Sequence, residues 1–287
     1  MQVVLITGDG PEHRYMANRL TRAVSLSAIV VDHGSPASRL QRLRRIGKRY
    51  TAVQIAGRVS LALLRRIWRD RTQMRARVRD VLGAESLEFH RPDLVQHVDG
   101  INTPDAIATV ARLNPDLLLI FGTSVVKDEV LRLARRRALN AHTGISPHYR
   151  GAECTFWPLH NEEPHMLGAT VHECTQDLDG GRIFATGRAA LHADDCQFSA
   201  FGRCVVTAAD LYVHVVEKDL RGELTGHLQD LRTGHEYKAA QHGLRAELRV
   251  RRLIRMGLIR RYVEASGDCA RQPALAADRS IHVRDCR

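Results

Sequence analysis

No stretch of this chain stays apolar over the roughly 18 residues that a membrane-spanning helix requires, so a spanning segment is excluded from the expected architecture. None of the six cysteines (Cys154, Cys174, Cys196, Cys204, Cys269 and Cys286) forms a Cys-x-x-Cys pair, and none joins a His/Cys cluster at zinc spacing. A structural zinc site is therefore not expected, and the cysteines read as free thiols. The N-terminus has neither a basic leader region nor a small-residue cleavage site. Met1 to Gly8 reads instead as a strand that starts the fold at once, so no signal peptide and a cytoplasmic setting are expected. Aromatic residues make up only 5% of the sequence, and the most basic segment has just Tyr50 and Trp68, few for stacking on nucleic-acid bases.

What is present describes an ordinary folded protein. With 287 residues and 44% hydrophobic content the chain can bury one large core, with or without an appendage. The net charge of +11 is concentrated. From Pro36 to Asp80 fourteen Lys and Arg oppose two Asp, a local balance of +12, which leaves −1 for all other residues. A high pI that arises from one segment is not a whole-protein nucleic-acid signature.

Hydrophobic patterning predicts a βαβ opening: a strand at Val3–Ile6, a Gly8-Asp9-Gly10 turn, a helix through Arg14, Ala17, Leu20 and Val24, and a strand at Ala28–Val31. The glycine turn suits either the approach of a phosphate or a plain tight turn. Residues 38–82 read as Arg-rich helix, with Leu40, Leu43, Ile46, Val59, Leu61, Leu63, Leu64, Ile67 and Trp68 as apolar positions. Three readings of this insertion compete: a helical hairpin with a solvated basic face, a surface for anionic lipid or a lipid-linked substrate, and a nucleic-acid site. A strand at Leu94–Val98 follows, then a helix capped by Asn102-Thr103-Pro104, and a buried strand at Leu117–Phe121. A helix from Lys127 to about Arg136 then leads into a strand at Ala138–His142.

Asn140 and His142 close that strand, and Asp179 follows 37 residues after the histidine. An amide, an imidazole and a carboxylate are the side chains that one-carbon acyl transfer to an amine would use. The amide can donate to a carbonyl oxygen becoming an oxyanion, the imidazole can move protons near neutral pH, and the carboxylate can hold or relay them. Taken singly, each has a structural reading as well: a turn cap, a buried histidine, and turn chemistry before Gly180-Gly181.

The run from Asn140 to Ala152, with Ser146-Pro147-His148-Tyr149-Arg150-Gly151 inside it, resembles the signature of the folate-dependent formyltransferases. Gly168-Ala169-Thr170-Val171-His172 and then Asp177-Leu178-Asp179-Gly180-Gly181-Arg182-Ile183 resemble that family's second block. The likeness covers roughly residues 1–206. It implies a Rossmann-like, mostly parallel α/β sheet flanked by helices, with Asn140, His142 and Asp179 catalytic, 10-formyltetrahydrofolate as donor, an amine as acceptor and no metal. In that scheme protonated His142 supports the oxyanion beside Asn140. By the same resemblance Gly122, Thr123, Ser124, Val125 and Val126, together with Thr175, Gln176, Asp177 and Leu178, would form the donor pocket. Gly8, Asp9, Gly10, Ser146, Tyr149, Arg150 and His172 would meet the acceptor, His172 with an equal claim to a packing role.

After Thr207 the pattern turns helical (Leu211, Val215, Val216, Leu220). Glu236-Tyr237-Lys238 and an amphipathic helix from Leu244 to about Met256 come next. Too little alternating pattern remains for the C-terminal β-barrel of methionyl-tRNA formyltransferases, and this end resembles the short tail of the sugar N-formyltransferases. The expected organisation is a catalytic domain (1–206, with the basic helical insertion at about 36–82), a mainly helical extension (207–264) and a flexible tail (265–287). The expected acceptor is a small amine, foremost an amino sugar linked to a nucleotide or lipid. Donor hydrolysis, transfer to tRNA and a non-enzymatic RNA- or membrane-binding module are the alternatives. Further expected partners are an anionic membrane surface and a second copy of the chain in a homodimer; nucleic acid is not expected.

Overall fold

The computed structural model describes residues 1–34, 52–175 and 179–267 and the backbone of 275–276; of residues 52–56 and 58 only the helical backbone is described. The expectations for residues 35–51 and for Gln176, Asp177 and Leu178 lie outside the described residues. In chain order the elements are β1 (Val3–Thr7), α1 (Pro11–Ala23), β2 (Ala28–Asp32), α2 (Ala52–Ile67), α3 (Asp70–Leu82), β3 (Val95–Val98), α4 (Pro104–Leu113), β4 (Leu117–Ile120) and α5 (Asp128–Leu131). There follow β5 (Arg137–His142), β6 (Tyr149–Gly151), α6 (Trp157–His160), β7 (Gly168–Glu173), β8 (Ile183–Arg188), α7 (Gln197–Leu220), β9 (His235–Tyr237), α8 (Leu244–Arg255), α9 (Leu258–Ser266) and β10 (Leu275–Ala276).

Eight strands form one sheet in the order β10-β8-β7-β5-β4-β1-β2-β3. The five from β5 to β3 pair in parallel, and β7, β8 and β10 extend the sheet antiparallel. The central strands β1 and β4 are buried at every position because helices cover both faces. On one face Leu5, Ile29, Leu119 and Leu139 pack with Met16, Val78 and Val215 from α1, α3 and α7. On the other, Val4, Ile6, Val30 and Leu118 pack with Ala106, Val110 and Val130 from α4 and α5. Thr103 caps α4 as its pattern predicts, its hydroxyl accepting from Ala106 N–H at 3.4 Å.

Three features depart from the sequence reading. The helix expected over 127–136 shrinks to the single turn of α5. Arg135 and Arg136 N–H leave the helical path to donate to the Pro115 and Asp116 carbonyls, and the Arg135 guanidinium pairs with the Asp116 carboxylate. The helix expected after Thr207 begins ten residues earlier, at Gln197, so residue 206 lies in the middle of α7, which packs along the sheet. The helices after it pack against the body of the protein. Val250, Leu253, Ile259 and Val263 of α8 and α9 build a second core with Tyr149, Trp157 and Leu167. In the stretch expected to be a flexible tail, β10 pairs with Gly187 and Thr186 of β8.

The basic insertion is a helical hairpin over its described part. Its second helix, α3, belongs to the main core through Val78 and Leu82, so only α2 stands at the periphery. A buried ionic cluster fastens that helix. Glu247 on α8 accepts from Arg65 of α2 and from Arg251, each at 2.8 Å, and Arg251 also pairs with Asp70 at 2.5 Å. His242 lies 2.8 Å from Glu247, also contacts Glu153, and stacks on Phe156 at 3.8 Å.

Candidate active site

Side chains alternate between the two faces of a strand, so Asn140 and His142 leave β5 on one side while Leu139 and Ala141 enter the core on the other. The neighbouring strand β7 sets His172 opposite Asn140 and Thr170 opposite His142. These four side chains therefore share a face. Asp179 comes from the connection between β7 and β8, whose base is tied by Glu173 N–H donating to the Arg182 carbonyl at 2.9 Å. It adopts a left-handed φ of 51°, which a short polar residue tolerates better than most.

The Asp179 carboxylate is buried and has three partners. Gly151 N–H donates to Oδ2 at 2.9 Å, His142 Nδ1 lies 3.5 Å from Oδ2, and His172 Nε2 lies 3.4 Å from Oδ1. Burial alone would raise this carboxyl, but the His142 charge, the His172 contacts and the Gly151 N–H together hold it below the usual carboxylate range. His142 behaves oppositely. Burial is the largest influence on it and outweighs the Asp179 carboxylate, so its imidazole falls below the ordinary histidine value. The free protein thus protonates His142 less readily than an ordinary histidine. Its other nitrogen, Nε2, donates to the Tyr149 carbonyl at 3.2 Å. Nδ1 is the position left for an incoming proton, and Asp179 stands beside it.

His172 Nδ1 donates to the Glu173 carbonyl at 2.9 Å, and its Nε2 accepts from Asn140 Nδ2 at 3.2 Å. That bond fixes the amide plane. The second Asn140 N–H has no partner among the described residues and remains available to an oxyanion. His172 is 3% exposed and touches both Asn140 and Asp179.

Several groups that support the site carry no obvious sequence signal. Gln229, fifty residues beyond Asp179, donates to the carbonyls of Asp179 and Gly181 at 2.8 and 2.6 Å. Thr170 Oγ1 donates to the Gly144 carbonyl at 2.8 Å and accepts from Ser146 N–H at 3.0 Å, pinning the loop after β5. Gly144 must lack a side chain, because a Cβ there would sit 2.5 Å from His142 Nε2 and 2.8 Å from the Tyr149 carbonyl. Tyr212 of α7 reaches beneath the site, donating to the Leu139 carbonyl at 2.7 Å and accepting from Ile120 N–H at 2.8 Å.

The other residues expected from sequence are distributed unevenly. Tyr149 and Arg150 do not present their side chains to an acceptor. The Tyr149 hydroxyl contacts Glu163 and its ring stacks on Tyr237 at 5.5 Å, while Arg150 is spent on the Pro147 and Leu231 carbonyls. A motif does not reveal that the Tyr149 backbone, and not its ring, serves His142. Ser146 is buried behind the loop. Gly122, at φ 65°, Thr123, Ser124 and Val125 line the carboxyl end of β4; Val125 is exposed, Val126 packs into the α4–α5 core, and Ser124 Oγ lies 3.2 Å from Asp32. Thr175 is exposed. At the Gly8-Asp9-Gly10 turn, His13 fills the space between Gly8 and Gly122, and Asp9 pairs with Arg14 at 2.6 Å. Arg14, in the first turn of α1 beside that loop, is thereby committed. Among the described residues no group of three or more His, Cys, Asp or Glu could hold a metal ion.

An oriented amide donor, an imidazole of lowered basicity and a buried carboxylate, gathered at the carboxyl end of a mostly parallel sheet, define an α/β group-transfer site of the acyl type. The sequence carries the same conclusion further. The chain belongs to the formyl transferase family, which it matches over residues 69–216, just over half its length and including Asn140, His142, His172 and Asp179. It is 25% identical over 133 residues to a methionyl-tRNA formyltransferase of Sulfurihydrogenibium sp. (strain YO3AOP1); the alignment spans 45% of this chain and 42% of that relative. In fold it is similar to a sugar N-formyltransferase from Shewanella sp FDAARGOS_354, with a TM-score of 0.53, 15% identity and 88% of each chain covered. It is similar too to phosphoribosylglycinamide formyltransferase from Anaplasma phagocytophilum, with a TM-score of 0.50, 16% identity, and 79% of this chain and 91% of that one covered.

Proposed function

We propose that the protein transfers a formyl group from 10-formyltetrahydrofolate to a primary amine on a small acceptor, foremost an amino sugar carried on a nucleotide or lipid. The observation that carries this reading is the convergence of Asn140, His142 and Asp179 on one face of the β5–β7 edge in a chain of the formyl transferase family. The acceptor amine attacks the formyl carbon. The free Asn140 N–H meets the oxyanion, a donor whose loss costs about 3–4 kcal/mol in comparable acyl-transfer sites. Neutral His142 takes up the ammonium proton at Nδ1, and Asp179 then faces an imidazolium. The donor's pterin fits the loops at Gly122–Val126 and at Thr175.

A phosphate-bearing acceptor is favoured by a cavity of about 210 Å³ in which Arg71 and Arg75 of α3 face Gly10, Pro11 and Glu12. Among the described residues neither arginine has an ion pair. The test is to incubate the protein with 10-formyltetrahydrofolate and a panel of nucleotide-linked amino sugars, with aminoacylated initiator tRNA alongside. The expected product is an amino sugar one formyl group heavier. Formylation of the tRNA alone, or release of formate without any amine, would overturn the sugar assignment.

The pH profile follows from His142. Its basic form is the active one and burial lowers its pKa, so kcat/KM rises with pH through a limb lying below the ordinary histidine value, while a second limb at higher pH belongs to the acceptor amine, which attacks unprotonated. Absence of the lower limb across acceptors of different amine pKa would contradict a neutral resting imidazole.

A further inference from the structure

We infer that the outer face of α2 is a docking surface for an anionic lipid bilayer. This helix is apolar on two opposite sides. Its inner side, Leu61, Leu64, Arg65 and Trp68, recurs at i, i+3, i+4 and i+7 and meets the body of the protein. Its outer side carries Val59, Leu63 and Ile67 at i, i+4 and i+8, exposed by 54, 57 and 72%. Single exposed aliphatics are ordinary on a protein surface, whereas three on successive turns of one stripe form a continuous ridge.

Charge decides what the ridge meets. No acidic residue occurs in α2, and Arg66 and Arg69 beside the stripe have no ion pair among the described residues. The packed neighbour α8 repeats the pattern: Leu248 is exposed between Arg245 and Arg252 while Val250 and Leu253 point inward. Its single acid, Glu247, is buried and already neutralised by Arg65 and Arg251. A second copy of this chain would set arginine against arginine with no carboxylate between them. Nucleic acid would gain nothing from three aliphatic side chains, and Trp68, the aromatic that could stack on a base, is covered by the Arg251 guanidinium 4.0 Å away. Aliphatic side chains between arginines are the composition that inserts at the headgroup boundary of an anionic leaflet. Among the described residues no helix is long and apolar enough to cross a membrane, so the association is peripheral.

The test uses the full chain and needs no catalytic turnover, so its outcome is separate from that of the proposed reaction. Co-sedimentation is measured with vesicles of phosphatidylcholine alone and of phosphatidylcholine mixed with phosphatidylglycerol. Binding is expected to the mixed vesicles only, weakening as salt is raised. Leu63→Glu with Ile67→Glu lowers the partition coefficient at least about tenfold, and Arg66→Ala lowers it about fivefold. All three positions are solvent-facing, and unchanged thermal melting of each variant shows that the fold is intact. The proposal is overturned if anionic vesicles do not bind, if the double glutamate variant binds as the parent does, if RNA binds in place of vesicles, or if the parent is a dimer that the double variant dissociates.

Discussion

Replacing Asp179 with Asn lowers kcat/KM for formyl transfer by about 10²–10⁴-fold, the range spanned by losing a positioned proton-transfer group. The change is nearly isosteric, and the carbonyl of the new amide can still accept from Gly151 N–H, so the loop keeps its anchor. What disappears is the negative charge facing His142 Nδ1 and His172 Nε2. Burial is then opposed at His142 only by the bond to the Tyr149 carbonyl, its pKa drops further, and the acid limb of the pH profile moves to lower pH in the variant. A merely structural Asp179 would alter rate and stability together and leave that limb in place. Activity above a tenth of the parent's, or an unmoved limb, would exclude a part for the carboxylate in proton transfer.

The largest expected loss of stability lies in the buried cluster around Glu247. Glu247→Ala removes the buried carboxylate shared by Arg65, His242 and Arg251 and leaves the Arg65 guanidinium without its ion pair and Arg251 with Asp70 alone. Breaking a buried pair from one side costs about 3–5 kcal/mol. The Arg65 side chain is 39% exposed, so water relieves part of the penalty and the lower end, about 3 kcal/mol, is expected. Burial raises the Glu247 carboxyl, but His242 and the two arginines outweigh it and hold it below its ordinary value. A depressed native pKa gives stability that is complete above the unfolded value and lost as pH falls through the native one. The difference between parent and variant in urea unfolding is therefore full at neutral pH and narrows only in strong acid. A difference below about 1 kcal/mol at pH 7 would mean the cluster is solvated in solution.

The βαβ opening, the strand Leu117–Ile120 and the strand ending at His142 were legible because continuous burial and strand alternation leave a direct hydropathy trace. The trio was legible for a related reason: Asn140 and His142 share a strand, and Asp179 sits in a local motif. Where tertiary partners decide, that legibility ends. The backbone after Leu131 follows bonds to Pro115 and Asp116, which no helical periodicity encodes. The start of α7 at Gln197 was missed because its first turns pack partly on α3 and partly on the second core, which blurs a single apolar face. Nor does a lone Gln229 betray that it grips the carbonyl of a residue fifty positions away. The lowered pKa of His142 depends on burial from all sides, a property of the assembled site and not of its motif.

The pairing of Asn140 with His172 makes the chemistry a matter of alignment between two hydrogen-bond ladders. A slip of β7 by a single residue would turn His172 to the opposite face of the sheet and bring Val171 or Glu173 opposite Asn140. One residue added inside Gly168–Glu173 shifts that alignment out of phase, whereas the strands' connection must keep the Tyr149 carbonyl on His142 and the Gly151 N–H on Asp179. Formyl transfer in this chain would thus respond to insertions by their parity within β7, and in the connection by whether they fall beyond Gly151.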